Sequence, residues 1–377
     1  MLKNTHIWLA DYIRGRLLRP SAVRGEKHVM FCLADHFEPR WGNVSLERER
    51  SRVRTWCRKY PAIALQHRDS DGVSARHTIF YPEEEYRAEH LEILADVCSS
   101  GIAEVEVHLH HRADTPENLC RLLERFKTVL DRHGLLSRDP LGEIRYGFIH
   151  GDWALDNSRK DGLCCGVNNE LQVLRDTGCY ADFTLPSAPS DTQTAKVNSI
   201  YYACDDPEKP KSHNRGIDVC LGAEPTGDLM IVQGPLALNW RFRKAGILPR
   251  IENGNLTSEN LSAPGRADIW ARQGISVAGR PEWIFIKVHT HGLQDANLGA
   301  GFFEGLDRLY GYLENKYMSG GFNLHYVTAR EMYNIIKAAE AGEEGSPGLY
   351  RDYRLKRSTG EKRSRPREAR EPVLTGV

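Results

Sequence analysis

Apolar and polar residues alternate along Glu104–Leu109, with Val105, Val107 and Leu109 set against Glu104, Glu106 and His108. A period of two is that of a strand. The stretch closes on His108, His110 and His111, with Asp114 just behind. His108 and His110 are two apart, so an extended chain projects them from one face. Thr115 then reads as a helix N-cap and Pro116 as the first helical residue. A strand that ends in imidazoles and turns at once into a helix is where a β/α barrel keeps its chemistry.

The same pattern recurs along the chain. His28–Ala34 is a buried strand followed by Asp35 and His36. Residues 46–66 read as a charged helix kinked at Pro61. His77–Tyr81 is a second strand. A helix opening at Pro82 follows it, with Glu83, Glu84 and Glu85 in the first turn, and ends at Gly101. After the histidine strand comes a helix from Pro116 to Gly134. Arg145–Ile149 is a strand tipped by His150, Gly151, Asp152 and Trp153. A helix over 168–177 and a strand over 181–185 complete the regular half. Strand–helix alternation of this kind indicates an α/β fold with a parallel sheet. Beyond it, 199–203, 217–221 and 229–232 read as strands, and about 204–279 reads as an irregular β insertion. Trp283–Val288 returns to a buried strand, tipped by His289 and His291. A helix over about 299–318 and a strand over 322–327 follow, and Thr328 with Glu331 forms a capping box for the last helix.

The ends differ from the body. Met1–Pro20 mixes Trp8, Leu9, Tyr12, Ile13, Leu17 and Leu18 with arginines, which fits an amphipathic helix packed on the body over residues 1–24. Peripheral contact with a membrane surface is the alternative. Residues 346–377 carry nine Lys and Arg against four Asp and Glu, a balance of +5, with few apolar groups. Residues 341–377 are therefore expected to form a disordered basic tail, removable beyond about 345 without unfolding the domain.

Lys+Arg and Asp+Glu are equal at 51 each, so no overall charge draws nucleic acid. No apolar run is long enough to span a membrane. Nine cysteines at irregular spacing, without a secretory signal, suit reduced thiols in a cytoplasmic protein. Four strand tips offer ligands: Asp35 and His36; His108, His110 and His111; His150 and Asp152; His289 and His291. One histidine on a loop is ordinary. Four polar tips converging on one face of a parallel barrel point to a divalent metal, and donors this rich in nitrogen favour zinc.

These motifs resemble the polysaccharide deacetylase (NodB-homology) family of the glycoside hydrolase/deacetylase superfamily. Leu33-Ala34-Asp35-His36 stands where the family has two aspartates after its first strand. His110 and Asp114 have the spacing of its two-histidine motif, or His108 and His111 approximate it, and Lys287-Val288-His289 resembles its late Leu-x-His. Val327, Thr328 and Glu331 match the start of its last helix. The family's Arg-x-Pro-Tyr motif is represented only by Thr184-Leu185-Pro186-Ser187. His108–His111 and Phe148–Ser158 are also similar to bacterial proteins that accompany polysaccharide biosynthesis enzymes.

The resemblance implies a distorted (β/α) barrel of about seven strands over 25–340, with the irregular β region inserted at its mouth. It implies a metal-dependent hydrolase removing an acyl group, acetyl above all, from an amino sugar or polysaccharide precursor. Asp35 would take the proton from water, with His36, His108, His110 and Asp114 as metal ligands. His289 or His291 would protonate the leaving amine, and His150, Asp152 and Trp153 would bind the carbohydrate. Two rivals stand beside it. One is a metal-dependent glycosidase using Asp35 and Asp152. The other is a non-catalytic sugar-binding component of polysaccharide assembly.

Overall fold

A computed structural model describes residues 3–18, 25–261, 265–299 and 301–357. Nine strands run parallel in one sheet: β1 (Lys27–His36), β2 (His77–Pro82), β3 (Ala103–Leu109), β4 (Ile144–His150), β5 (Cys179–Asp182), β6 (Leu229–Val232), β7 (Asn255–Leu256), β8 (Trp283–Thr290) and β9 (Phe322–Tyr326). Their order is β7-β8-β1-β2-β3-β4-β5-β6. Strand β1 lies against β8 along one edge, from His28–Trp283 to Asp35–Thr290. Its other edge is shared, with β9 on the first half and β2 on Ala34–His36. Ile200–Ala203 and Ile217–Asp218 extend the sheet antiparallel beyond β6.

Strand parity divides the core. Met30, Cys32 and Ala34 of β1 pack with Phe80, Ile149, Phe183, Val232 and Phe285 on the inner face, against Met332, Ile335 and Ile336 of the last helix (Ala329–Ala341). Val29, Phe31 and Leu33 pack outward on Trp56 and Tyr60 of the helix Leu46–Ala64, Leu91 of Ala88–Ser99, Phe126 of Pro116–Arg132 and Tyr310 of Phe302–Tyr317. Alternation in β3 therefore does not separate wet from dry, since all seven residues are buried. Its polar residues face the interior. Glu104 pairs with Arg330 at 2.7 Å and accepts the Thr328 hydroxyl, and Glu106 accepts the Tyr180 hydroxyl and the Gly147 N–H.

The sheet curls. Lys287 of β8 donates to the carbonyls of Phe183 and Leu185 at the end of β5, five places away in strand order. Only a curved sheet brings those strands within reach of one lysine side chain, whose Nζ lies 2.6 Å from the Phe183 oxygen. Among the described residues no backbone ladder joins the two ends of the sheet, so the expected distorted barrel of about seven strands gives way to an open sheet of thirteen, nine of them parallel.

Two boundaries also move. Residues 204–279 are not one insertion, because β6 and β7 are strands of the main sheet; the hairpin Ala237–Lys244 with Leu248–Glu252 stands apart from it. Residues 346–357, expected in the tail, are docked. Arg351 pairs with Asp69 at 2.8 Å and Asp71 at 2.9 Å, Leu355 is buried, and Lys356–Arg357 pairs with Ser137–Arg138. The tail expectation for 358–377 lies outside the described residues. At the other end, Leu9–Leu18 is helical; it packs through Tyr12, while Ile13, Leu17 and Leu18 are exposed. Residues 19–24 of that segment lie outside the described residues. No helix among the described residues is long and apolar enough to cross a membrane.

Candidate metal centre

At the tip of β1, Phe37 turns outward onto Trp56, so His36 and Glu38 both keep the inner parity. His108 and His110 reach the same place from β3. The His108 Nδ1–H donates to the Ile149 carbonyl at 2.7 Å, which leaves the lone pair on Nε2. That Nε2 is buried, has no hydrogen-bond partner and lies 3.6 Å from Glu38 Oε1. His110 is held the same way, its Nδ1 on the Glu84 carboxylate, with Nε2 3.2 Å from the same Glu38 oxygen. Glu38, His108 and His110 thus present three donor atoms within 4.8 Å of one another. An imidazole whose far nitrogen is fixed by an oxygen is the usual arrangement around a bound metal.

Three further histidines crowd this point. His291 Nδ1 bonds Glu38 Oε2 at 2.9 Å. The His36 ring lies 4.6 Å from that of His291, 5.0 Å from His108 and 6.1 Å from His289. Trp41 and Trp153 flank His291 at 5.6 and 6.0 Å. Trp153 also lines a cavity of about 600 Å³ with Asp152, Lys160, Asp191 and Lys3. The turn that delivers it is strained, with Asp152 and Trp153 both at φ +54°. A tryptophan in the left-handed region costs about 1–3 kcal/mol, and such strain gathers at functional sites.

The cluster sets its own charges. Burial pushes the Glu38 carboxyl up, but the imidazoles of His108, His110 and His291 beside it outweigh that and hold it well below the ordinary range. Burial lowers His110, yet Glu38 and Glu84 prevail and lift it to about 10. His36 and His289 are driven well below the usual value, chiefly by burial, then by the neighbouring imidazoles and, at His289, by Lys287 and Arg266. Both are neutral imidazoles at pH 7, the form that coordinates metals.

A second cluster lies on the outer face. His150 follows Ile149 on β4 and so points the other way from His108. Its Nε2, with those of His111, Cys165 Sγ and a Glu170 oxygen, forms a buried group within 4.8 Å that can hold a metal ion. Burial lowers His150 to about 4, against the attraction of Glu170. Glu170 falls to about 2, because His150 and His111 overcome its burial. A third group, Asp69, Asp71 and His325, already has the Arg351 guanidinium on both carboxylates and reads as an ion-pair network.

The ten residues singled out from the sequence therefore separate. His36, His108, His110, His289 and His291 come together, and Asp152 and Trp153 line the adjoining cavity. Asp35 is corrected: its odd parity faces the helices, where His77 Nε2 and the Gly292 N–H take its two oxygens. Asp114 is corrected too, since it sits 3.2 Å from His111 on the outer face and caps the next helix turn. His150 is fully buried in the outer cluster and cannot meet a carbohydrate. Sequence reasoning passed over Glu38, Glu84, Cys165 and Glu170. Glu38 had a signal, being two residues beyond His36 and hence on its face.

Comparison with known proteins returns no match to any family model and none to any curated protein.

Proposed function

We propose that this protein is a metal-dependent hydrolase that removes an acyl group, acetyl above all, from an amino sugar or polysaccharide precursor. The observation that carries the reading is the pair of imidazoles His108 and His110, each backed at Nδ1 and each aiming Nε2 at Glu38. These three residues would hold the ion, and their nitrogen-rich set favours zinc. A divalent ion there supplies Lewis acidity and lowers the pKa of a nearby water. His291 is oriented by Glu38 at Nδ1, so its Nε2 accepts the proton from water and returns it to the leaving amine. His36 and His289, neutral and buried, wall the reacting centre. Trp41 and Trp153 offer ring faces to a sugar, and the polar cavity beside Trp153 gives the rest of the chain of sugars a place to lie.

The glycosidase reading needs two carboxylates facing one bond. Asp35 looks into the helix layer and Asp152 pairs with Arg112, so the geometry favours deacylation. The test is acetate release from a panel of N-acetylated oligosaccharides by zinc-loaded protein, with reducing ends counted in parallel. Acetate without new reducing ends, abolished in His108→Ala, is expected. New reducing ends would establish the glycosidase. Neither product, from protein that holds no metal, would establish the non-catalytic reading.

A further inference from the structure

We propose that His111, His150, Cys165 and Glu170 form a second zinc site, closed and structural, distinct from the one at Glu38. All four residues are buried, and their donor atoms lie within 4.8 Å of one another. The ligand atoms are arranged around Glu170: His111 Nε2 at 3.1 Å and His150 Nε2 at 3.5 Å from Oε1, and the Cys165 thiol, which donates to Oε2 at 3.4 Å. The far nitrogen of each ring has an oxygen beside it, hydrogen-bonded in His150 and only close by in His111. His150 Nδ1 is bonded to the Gly151 carbonyl, and His111 Nδ1 lies 3.2 Å from Asp114 Oδ2. His150 therefore keeps its Nε2 lone pair with no hydrogen-bond partner, on a side chain with no solvent exposure. A protein leaves such an atom unpaired at a cost of about 1–3 kcal/mol unless a ligand meets it.

The donor set is specific. Two imidazoles, one thiolate and one carboxylate make a four-coordinate shell suited to zinc, with no place left for water. Binding releases the thiol proton of Cys165 to solvent and oxidises nothing. The turn after Cys165 is tight: a Cβ on Gly166 would lie 2.7 Å from the Asp114 nitrogen. The position explains what the site does. His110 and His111 are neighbours, one facing each cluster, so an ion on His111 and His150 pins the tips of β3 and β4 that present His108. The inference stands apart from the proposed hydrolase, because it rests on different residues.

The test is reconstitution of the full chain with cobalt(II). Of the three ligand clusters among the described residues this one alone contains sulfur, so wild type and His108→Ala should both show a thiolate-to-cobalt charge-transfer band in the near ultraviolet. Cys165→Ser should lose it. Elemental analysis of zinc-loaded protein should fall by one ion per chain in Cys165→Ser and by one in His108→Ala. Should Cys165→Ser fail to fold, wild type suffices: zinc should protect Cys165, located by mass spectrometry, from alkylation at partial denaturation. No charge-transfer band, or alkylation of Cys165 at the same rate with and without zinc, would overturn the site. That outcome leaves the ion at Glu38 untouched, and loss of the ion in His108→Ala alone bears only on the hydrolase.

Discussion

Gly151→Ala should disable the centre at Glu38 while sparing the fold. A Cβ at position 151 would stand 2.2 Å from His110 Cδ2 and 2.9 Å from its Cα. Carbon atoms rest at about 3.5–4.0 Å, so the imidazole would have to retreat by more than about 1 Å. Its Nε2 would then leave Glu38, which it meets at 3.2 Å. A misplacement of about 1 Å at a reacting centre costs roughly 10²-fold in rate. Gly151 is not at positive φ, so alanine brings no backbone strain of its own, and overpacking should cost about 1–3 kcal/mol. The assay is kcat/KM for acetate release beside zinc affinity by chelator competition, with thermal unfolding as control. A fall of about 10²-fold in both readouts, in protein that still unfolds cooperatively, is expected. Unchanged zinc affinity would refute the placement of His110.

Three further expectations follow from particular contacts. Glu84→Gln removes the carboxylate behind His110 and should weaken zinc binding by about 10–100-fold, read by the same competition, with little change in Tm. Burial pushes Asp182 up to about 6, against the Thr184 hydroxyl and N–H that hold its charged form. The folded state thus keeps a proton that the unfolded chain sheds near pH 4, so this group makes stability fall as pH rises from about 4 to about 6. Asp182→Asn should flatten that fall in urea titrations across the window; parallel curves for the two proteins would count against it. Removing the residues after Gly345 takes Arg351 from buried Asp69 and should cost about 3–5 kcal/mol, seen as a lower Tm, where the composition alone suggests no loss.

Much of the fold was legible because its signals are local. Thr115–Pro116 and Thr328–Glu331 start helices where the side chains cap the backbone as expected. The apolar runs at 28–34, 77–81 and 283–288 are parallel strands. The meeting of His36, His108, His110, His289 and His291 followed from placing polar residues after those runs. What failed was parity at the tips. Asp35 and His150 each follow a residue of the inner face and so look outward, and that depends on register across neighbouring strands, which a single chain does not display. Cys165 and Glu170 come from a loop and a short helix with no periodic signal. The docking of 351–357 rests on Asp69, Asp71 and Asn334, partners too distant in sequence for composition to reveal.

An ion at Glu38, His108 and His110 is the centre of the proposed chemistry. Crystals of zinc-loaded protein measured at the zinc absorption edge test it directly. An anomalous peak is expected within bonding distance of His108 Nε2, His110 Nε2 and a Glu38 oxygen. A zinc-saturated crystal with no peak there, and Glu38 still bonded to His110 and His291, would contradict it.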